Sequence, residues 1–409
     1  MKAISTQHNT DAIERKHPWP MVRLGDVCDE IKDRIQSSNI AVGEYVTTDN
    51  MVKDRGGIVQ AEYVPSDVGL VEYHKGDVLI ANIRPYLKKI WLADHDGGCS
   101  SDVVVFRTNT DGLSSEYLYS VLSQDAYFEY VMQKPRGTKM PRGDRDWMKE
   151  FRFPLPSLSV QREIVARLER ELAAVEKMKK GFEALAETAK QEFKAELKEV
   201  FEGLKSGGAE IGTDGTNGTV ETRRLGEIGR VVTGTTPSKG NKSYYGGEWP
   251  FYKPADLNQG RNTIGSGDSL ADAGWQSARQ LPANSVLVTC IGATLGKTGI
   301  IRREGSCNQQ INAIVCDGKT LPEYVYYSIL SPQFQNMLWQ SSNSTTLPMV
   351  NKSTFEKFEI PFPALAVQRE VVARLDLAKA RAEKLEAKAR EGVSVCETMR
   401  KAILKEAFE

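Results

Sequence analysis

The chain is written twice. Residues 151–169 read FRFPLPSLSVQREIVARLE and residues 358–376 read FEIPFPALAVQREVVARLD, so 12 of 19 paired positions are identical at an offset of 207. Upstream the match thins but holds its register. Val78-Leu79-Ile80 pairs with Val286-Leu287-Val288 and Cys99 with Cys307 at an offset of 208, and Thr138-Lys139-Met140-Pro141 pairs with Thr345-Thr346-Leu347-Pro348. Both copies open alike, on Val22-Arg23-Leu24-Gly25-Asp26 and Arg223-Arg224-Leu225-Gly226-Glu227. Such a repeat constrains the fold more than any motif, because the two copies must fold to the same plan. They have diverged unequally: one segment is nearly fixed while the body before it has drifted. A chain of this kind keeps one attachment surface and lets two readers differ, although a duplicated domain of another function also fits at this point.

Each body carries short apolar runs of β type, at 77–83 and 103–107 in the first copy and 285–291 and 311–315 in the second, separated by Gly, Asn and Asp turns. A helical stretch follows at 116–133 and at 323–340. Each copy is therefore expected to be an α+β body. Pro154-x-Pro156 and Pro361-x-Pro363 then mark a sharp boundary, since a proline disfavours helix in the residue before it.

Beyond each boundary apolar residues recur at alternating spacings of three and four. In the first copy they are Leu168, Leu172, Val175, Met178, Phe182, Leu185, Ala189, Phe193, Leu197, Val200 and Leu204. In the second they are Leu375, Ala378, Ala382, Leu385, Ala389, Cys396, Met399 and Ile403. The pattern predicts two long helices with a coiled-coil seam of about five heptads. Ser157 or Ser159 is placed to cap the first, but Ala364 and Ala366 stand at those places in the second. Gly181 and Gly392 interrupt the pattern and are expected to weaken it locally. Two such helices in one chain most simply pack on each other, antiparallel, with the glycine-rich segment 203–219 as the return loop. The expected fold class is α+β: two similar bodies joined by two long antiparallel coiled-coil helices, with an internal pseudo-twofold repeat.

At 409 residues the chain is long enough for two or three domains. Its longest apolar runs are far too short to span a bilayer, and residues 1–17 lack the apolar core of a signal peptide, so a cytoplasmic protein is expected. The six cysteines show no CxxC pair, and the four histidines are scattered; reduced structural thiols and no metal site are expected. The net charge is zero, but residues 19–155 hold 17 basic and 21 acidic side chains, a net of −4, and residues 222–362 hold 14 and 10, a net of +4. Neither body is strongly basic, so a nucleic-acid ligand would have to be met by local patches or with the help of partner subunits.

The segment Gly292-Ala293-Thr294-Leu295-Gly296-Lys297-Thr298 imitates a phosphate-binding loop. The spacing is one residue short, since the first glycine would fall at Ile291, and the residues after it read as strand rather than helix. Its paired copy, Arg84-Pro85-Tyr86-Leu87-Lys88-Lys89, has no glycine. No methyltransferase motif, cofactor loop or catalytic Ser/His/Asp set is present, so neither catalysis nor a cofactor is expected of this chain.

Nucleic-acid candidates are better founded. Arg136, Lys139, Arg142 and Arg145, with Lys134, form a basic run broken by Gly137, Pro141 and Gly143. Such a cationic loop suits phosphates or guanine edges, and equally a solvated surface. Arg84, Lys88 and Lys89 form a second cluster beside Tyr86. In the second body Thr235, Thr236, Ser238, Lys239, Lys242 and Tyr244 lie in a polar, glycine-rich loop. Asn308, Gln309 and Gln310 are amides able to pair with adenine, although that triplet fits a hydrogen-bonded strand edge better.

Gly234-Thr235-Thr236-Pro237-Ser238, Tyr244-Tyr245-Gly246-Gly247 and Trp249-Pro250-Phe251 resemble the opening of a Type I restriction-modification target-recognition domain, and Cys307-Asn308-Gln309-Gln310-Ile311 resembles its later signature. Pro361-x-Pro363-x-Leu365-x-x-Gln368-Arg369 and its copy Pro154-x-Pro156-x-Leu158-x-x-Gln161-Arg162 resemble the start of the conserved helical regions of the specificity subunits of such systems. The resemblance covers nearly everything from Trp19 to Glu409. The first body departs from it, lacking the Gly-x-Thr-Pro loop and carrying Ser100-Ser101-Asp102 where the second has Asn308-Gln309-Gln310.

The polar residues at the start and the glycine-rich stretch read as a disordered start (1–18) and a flexible linker (206–221), and the resemblance implies target-recognition domains at 19–156 and 222–363 and conserved helices at 157–205 and 364–409. It implies that each domain reads part of a bipartite, asymmetric double-stranded DNA target and that the helices set the gap between the halves. Gln161, Arg162, Gln368 and Arg369 would help to dock two modification (methyltransferase) subunits. Restriction subunits would complete an ATP-dependent nuclease, with all catalysis in those partners. Two alternatives stay open: a coiled-coil scaffold with protein-binding ends, and the specificity subunit of a methyltransferase without restriction.

Overall fold

The computed structural model describes residues 19–206, 220–342 and 347–408. The expected disordered start at 1–18 and most of the expected linker at 206–221 lie outside the described residues. The chain divides into two compact units, of which the described parts are 19–182 with 391–408, and 183–342 (without 207–219) with 347–390.

In the first unit a four-stranded antiparallel sheet has the order Cys28–Glu30, Val103–Thr108, Val78–Ala81, Ile90–Leu92. A second sheet runs Arg34–Gln36, Gly69–Tyr73, Gly97–Cys99, Tyr45–Val46, the last pair parallel. Val78, Leu79, Ile80 and Ala81 are all buried, so this strand is covered on both faces and reads as a continuous apolar run. Leu79, Val103 and Val105 face one cluster with Tyr73 and Cys99; Val78, Ile80, Val104 and Phe106 face the other, with the helices.

The second unit repeats the plan. One sheet has the order Gly229–Thr233, Ile311–Cys316, Val286–Thr289, Thr298–Ile300, and the other Asp268–Leu270, Tyr245–Tyr252, Ser306–Cys307. The residues after the phosphate-loop imitation are therefore strand, as their sequence predicts.

In each unit the incoming strand pairs with the one that leaves: Met21↔Pro154 through Arg23↔Arg152, and Thr222↔Pro361 through Arg224↔Glu359. The helical stretches predicted at 116–133 and 323–340 are each two helices. Ser115–Leu122 and Asp125–Val131 are separated at Ser123-Gln124, while Pro322–Leu330 and Pro332–Gln340 are separated at Ser331, which caps the second by accepting from the Phe334 N–H. Proline at the first helical turn lacks the N–H that a continuous helix would need.

The two long helices are Leu158–Ser206 and Leu365–Glu406. Within the first unit they run antiparallel, with Lys179 3.8 Å from Glu397 and the Phe182 ring against Gly392. Within the second unit Arg374 bonds Glu196 at 2.5 Å and Glu199 at 2.7 Å. Each core is completed by the far end of one helix: Leu404, Ala407 and Phe408 enter the first, and Leu197, Val200, Phe201 and Leu204 the second. Met178 and Met399, which the spacing puts in the seam, are exposed at 42% and 39%, while Val175 and Cys396, the seam positions just before them, are buried. A 3.6-residue turn drifts away from a 3.5-residue pattern, and one position per side falls off the stripe. Gly392 does not weaken the pairing but permits it, because a Cβ there would lie 2.5 Å from the Phe182 ring. No helix among the described residues is long and apolar enough to cross a membrane.

Candidate nucleic-acid interface

The helix-opening motif works as a latch between body and helix. Gln161 is fully buried: Oε1 accepts from the Ser114 N–H at 2.9 Å, and Nε2 donates to the carbonyls of Gly112 (2.7 Å) and Pro156 (2.8 Å). Gln368 repeats this, accepting from Leu321 N–H at 3.0 Å and donating to Pro363 O at 3.0 Å. The Tyr117 hydroxyl donates to Pro154 O at 2.8 Å, and that of Tyr324 to Pro361 O at 2.7 Å. The expectation that Gln161 and Gln368 dock a partner is corrected here, since their amides are enclosed and committed within the chain. Arg162 and Arg369 stay exposed.

In the first unit two basic segments far apart in sequence, at 84–89 and 134–145, meet along one edge. Asn82 N–H donates to Asp102 O (2.8 Å), Gly143 N–H donates to Asn82 O (3.1 Å), Ile83 bridges Arg142, and Arg84 N–H donates to Pro141 O (2.8 Å). Residues 136–142 close a small hairpin on themselves, with Arg136 and Arg142 exchanging backbone bonds of 2.8 and 2.9 Å. Exposed on this edge are Arg84, Arg136, Lys139 and Arg142, with Tyr86 and Met140 about half exposed. Arg142 stands 3.1 Å from Asp102, and Arg136 2.8 Å from Asp144. Asp144 caps the helix Arg145–Lys149; the Trp147 N–H and then the Arg136 guanidinium hold its carboxyl below the usual range.

Three candidates are occupied elsewhere and leave the set. Lys88 bonds Asp125 at 2.7 Å, Lys89 donates to Thr48 O at 2.6 Å, and Arg145 bonds Glu30 at 2.8 Å and Ser101 O at 2.6 Å. Asp125 and Glu30 are partly or fully enclosed. Burial alone would raise both carboxyls, but the cations bonded to them outweigh it and lower them. All three are also less exposed than Arg84, Arg136, Lys139 and Arg142.

In the second unit the Gly234–Ser238 loop lies against the Cys307–Gln310 segment. A Cβ on Gly234 would fall 2.1 Å from Asn308 O, so only glycine permits the approach. Thr235 N–H donates to Cys307 O (2.9 Å), the Thr235 hydroxyl accepts from Arg279 N–H (3.1 Å), and the Thr236 hydroxyl bonds the Gln309 side chain. Asn308 is buried, its amide committed to Gln310 (2.8 Å), and it too leaves the set as a direct contact. Gln309, Ser238, Lys239 and Lys242 are exposed; Thr235, Thr236, Tyr244 and Gln310 are half-buried.

Sequence reasoning passed over one edge in this unit. Cys290 N–H donates to Gln310 O (2.7 Å), Val350 N–H to Cys290 O (2.9 Å), and Gly292 N–H to Pro348 O (2.9 Å), while Ile291 bridges Met349. These are the bonds of the first unit's edge at an offset of 207 or 208. The offset alone could have found it, but nothing charged drew attention to it. Burial pushes the thiols of Cys28, Cys99, Cys290, Cys307 and Cys316 up to about 12, so none is a nucleophile. No group of three or more His, Cys, Asp or Glu that could hold a metal stands among the described residues.

A body built twice on one plan, latched to a helix by a common motif and carrying a different set of side chains on the same edge, defines a tandem recognition protein. The chain belongs to the Type I restriction modification DNA specificity domain family, whose model matches residues 16–182 and 217–393. It is 33% identical to the Type I restriction enzyme HindI specificity subunit of Haemophilus influenzae, over 87% of this chain and 93% of that one. A solved chain described under complex assembly and conformational transition of the type I R-M system has the same fold, with a TM-score of 0.78 and 24% identity over 96% of this chain and 98% of that one. The HsdS subunit from Thermoanaerobacter tengcongensis matches at a TM-score of 0.57 and 24% identity, covering 97% and 98%.

Proposed function

We propose that this chain is the DNA-specificity subunit of a Type I restriction-modification system, reading a bipartite, asymmetric target with one unit per half. The observation that carries this is the contrast between the two latches, which share a buried glutamine accepting from a body N–H and donating to the boundary proline carbonyl, and the two edges, which share a backbone but not their side chains. The domains at 19–156 and 222–363 are the readers. The helices at 157–205 and 364–409 set the gap between half-sites and offer the surface for two modification subunits, with Arg162 and Arg369 exposed at its start. Adenine methylation and ATP-driven cleavage belong to the modification and restriction partners, which act in the cytoplasm.

Phosphate neutralisation dominates affinity for DNA, so a chain of zero net charge binds its target weakly alone and tightly with its modification subunits. The test replaces residues 19–155 by a second copy of 222–362 and determines the target of the resulting complex. A symmetric site, one half and its inverted repeat, is expected; retention of the original asymmetric target would overturn modular reading.

A further inference from the structure

Two residues occupy equivalent places on the two edges, and their chemistry differs in a patterned way. Asp102 O receives the Asn82 N–H where Gln310 O receives the Cys290 N–H, and Arg142 bridges Ile83 where Met349 bridges Ile291. The pair is thus Asp102 with Arg142 in the first unit and Gln310 with Met349 in the second. Arg142 and Met349 are exposed, and Asp102 and Gln310 are partly so.

In the major groove, arginine pairs with the O6 and N7 of guanine and a carboxylate accepts from the N4 of cytosine. A glutamine amide pairs with N6 and N7 of adenine, and an apolar side chain packs on the thymine methyl. We propose, resting on the reading of the chain as a specificity subunit, that this pair reads one base pair in each half-site: G·C by Asp102 and Arg142, and A·T by Gln310 and Met349.

The surroundings prepare both pairs. Arg142 is 3.1 Å from Asp102, which orients the guanidinium while leaving most of its five N–H donors for a base. Gln310 accepts from the Asn308 Nδ2–H at 2.8 Å, so the buried Asn308 fixes which way the amide faces and leaves Nε2 to donate. That nitrogen lies over Gly292, 3.7 Å from where a Cβ would be, at a φ of +101°. The positive φ is what calls for glycine there, and it sets the backbone turn beside the reading amide.

The experiment uses the chain in complex with the modification subunits of its system, and duplex pools randomised in one half-site at a time. Asp102→Gln with Arg142→Met is expected to change the preference at one base pair of the first unit's half-site from G·C to A·T, on the order of ten-fold. Gln310→Asp with Met349→Arg is expected to do the reverse in the other half-site. In each case the half-site of the untouched unit keeps its preference, and hydrogen-exchange protection of the mutated unit equal to wild type shows that its reader has folded. Arg142→Lys, which keeps the charge but not the paired donors, should lose guanine discrimination without changing the salt dependence. Variants that lose affinity evenly while every base preference stays in place overturn the assignment, as does a wild-type first half-site without G·C or second half-site without A·T. A wild-type complex that selects no sequence overturns the specificity reading itself, and this assignment with it.

Discussion

Phe408 stands edge-on against Tyr117, ring centroids 5.6 Å apart, so the second long helix closes the core of a body that precedes it in sequence. In the second unit Phe201, on the first long helix, packs tilted against Tyr324 at 5.8 Å and closes the core of a body that follows it in sequence. Truncating a buried phenylalanine to alanine costs about 3–5 kcal/mol. Phe408→Ala is therefore expected to lower the stability of the first unit alone, and Phe201→Ala that of the second. Hydrogen exchange resolved over the two units measures this; equal loss of protection in both would contradict it.

The latches give a second expectation. Gln161→Leu leaves the Ser114 N–H and two carbonyls without partners in a buried place, each at a cost of about 1–3 kcal/mol. Gln368→Leu does the same at Leu321 and Pro363. Urea midpoints should fall for both, while Arg162→Ala, on the exposed neighbour, should leave the midpoint unchanged.

Acid sensitivity follows from Glu30, whose side chain is 3% exposed and bonded to Arg145 at 2.8 Å and Lys149 at 2.9 Å. Its carboxyl is held below the ordinary value of 4.5 in the folded chain. The stabilisation is complete above that value and disappears as the pH falls through the lowered one. Stability measured from about pH 3 to 7 should drop at the acid end. Glu30→Gln should flatten that drop and reduce stability at neutral pH.

The two helical glycines separate what the sequence groups together. A Cβ on Gly181 would meet nothing within 4 Å, so Gly181→Ala should stabilise by about 1 kcal/mol. Gly392→Ala should destabilise, since its Cβ would collide with the Phe182 ring. Thermal midpoints of the two single variants moving in opposite directions is the expected result.

The glycines also show where sequence reading stops. The repeat, the doubled body and the long helices are legible because they rest on local periodicity and on self-similarity, which a single chain displays. What the sequence does not display is who sits opposite. Lys88, Lys89 and Arg145 look like free cations until the fold brings Asp125, Thr48 and Glu30 beside them, from 37, 41 and 115 residues away. Gln161 and Gln368 look like surface amides because nothing local announces that Ser114 and Leu321 will need an acceptor. Conversely Gly292 and Met349 carry no charge to mark them as an edge, although the repeat places them opposite Arg84 and Arg142.

The position of Phe408 in the chain has a consequence for how the protein is born. Synthesis delivers the N-terminal part first. Leu197 to Leu204 leave the ribosome before the body they cover, so the second unit meets its lid already made. The first unit meets Leu404, Ala407 and Phe408 only after the whole second body has emerged. Until then the Phe408 side of Tyr117 has no cover from the second long helix, so the first unit is the later of the two to complete its core.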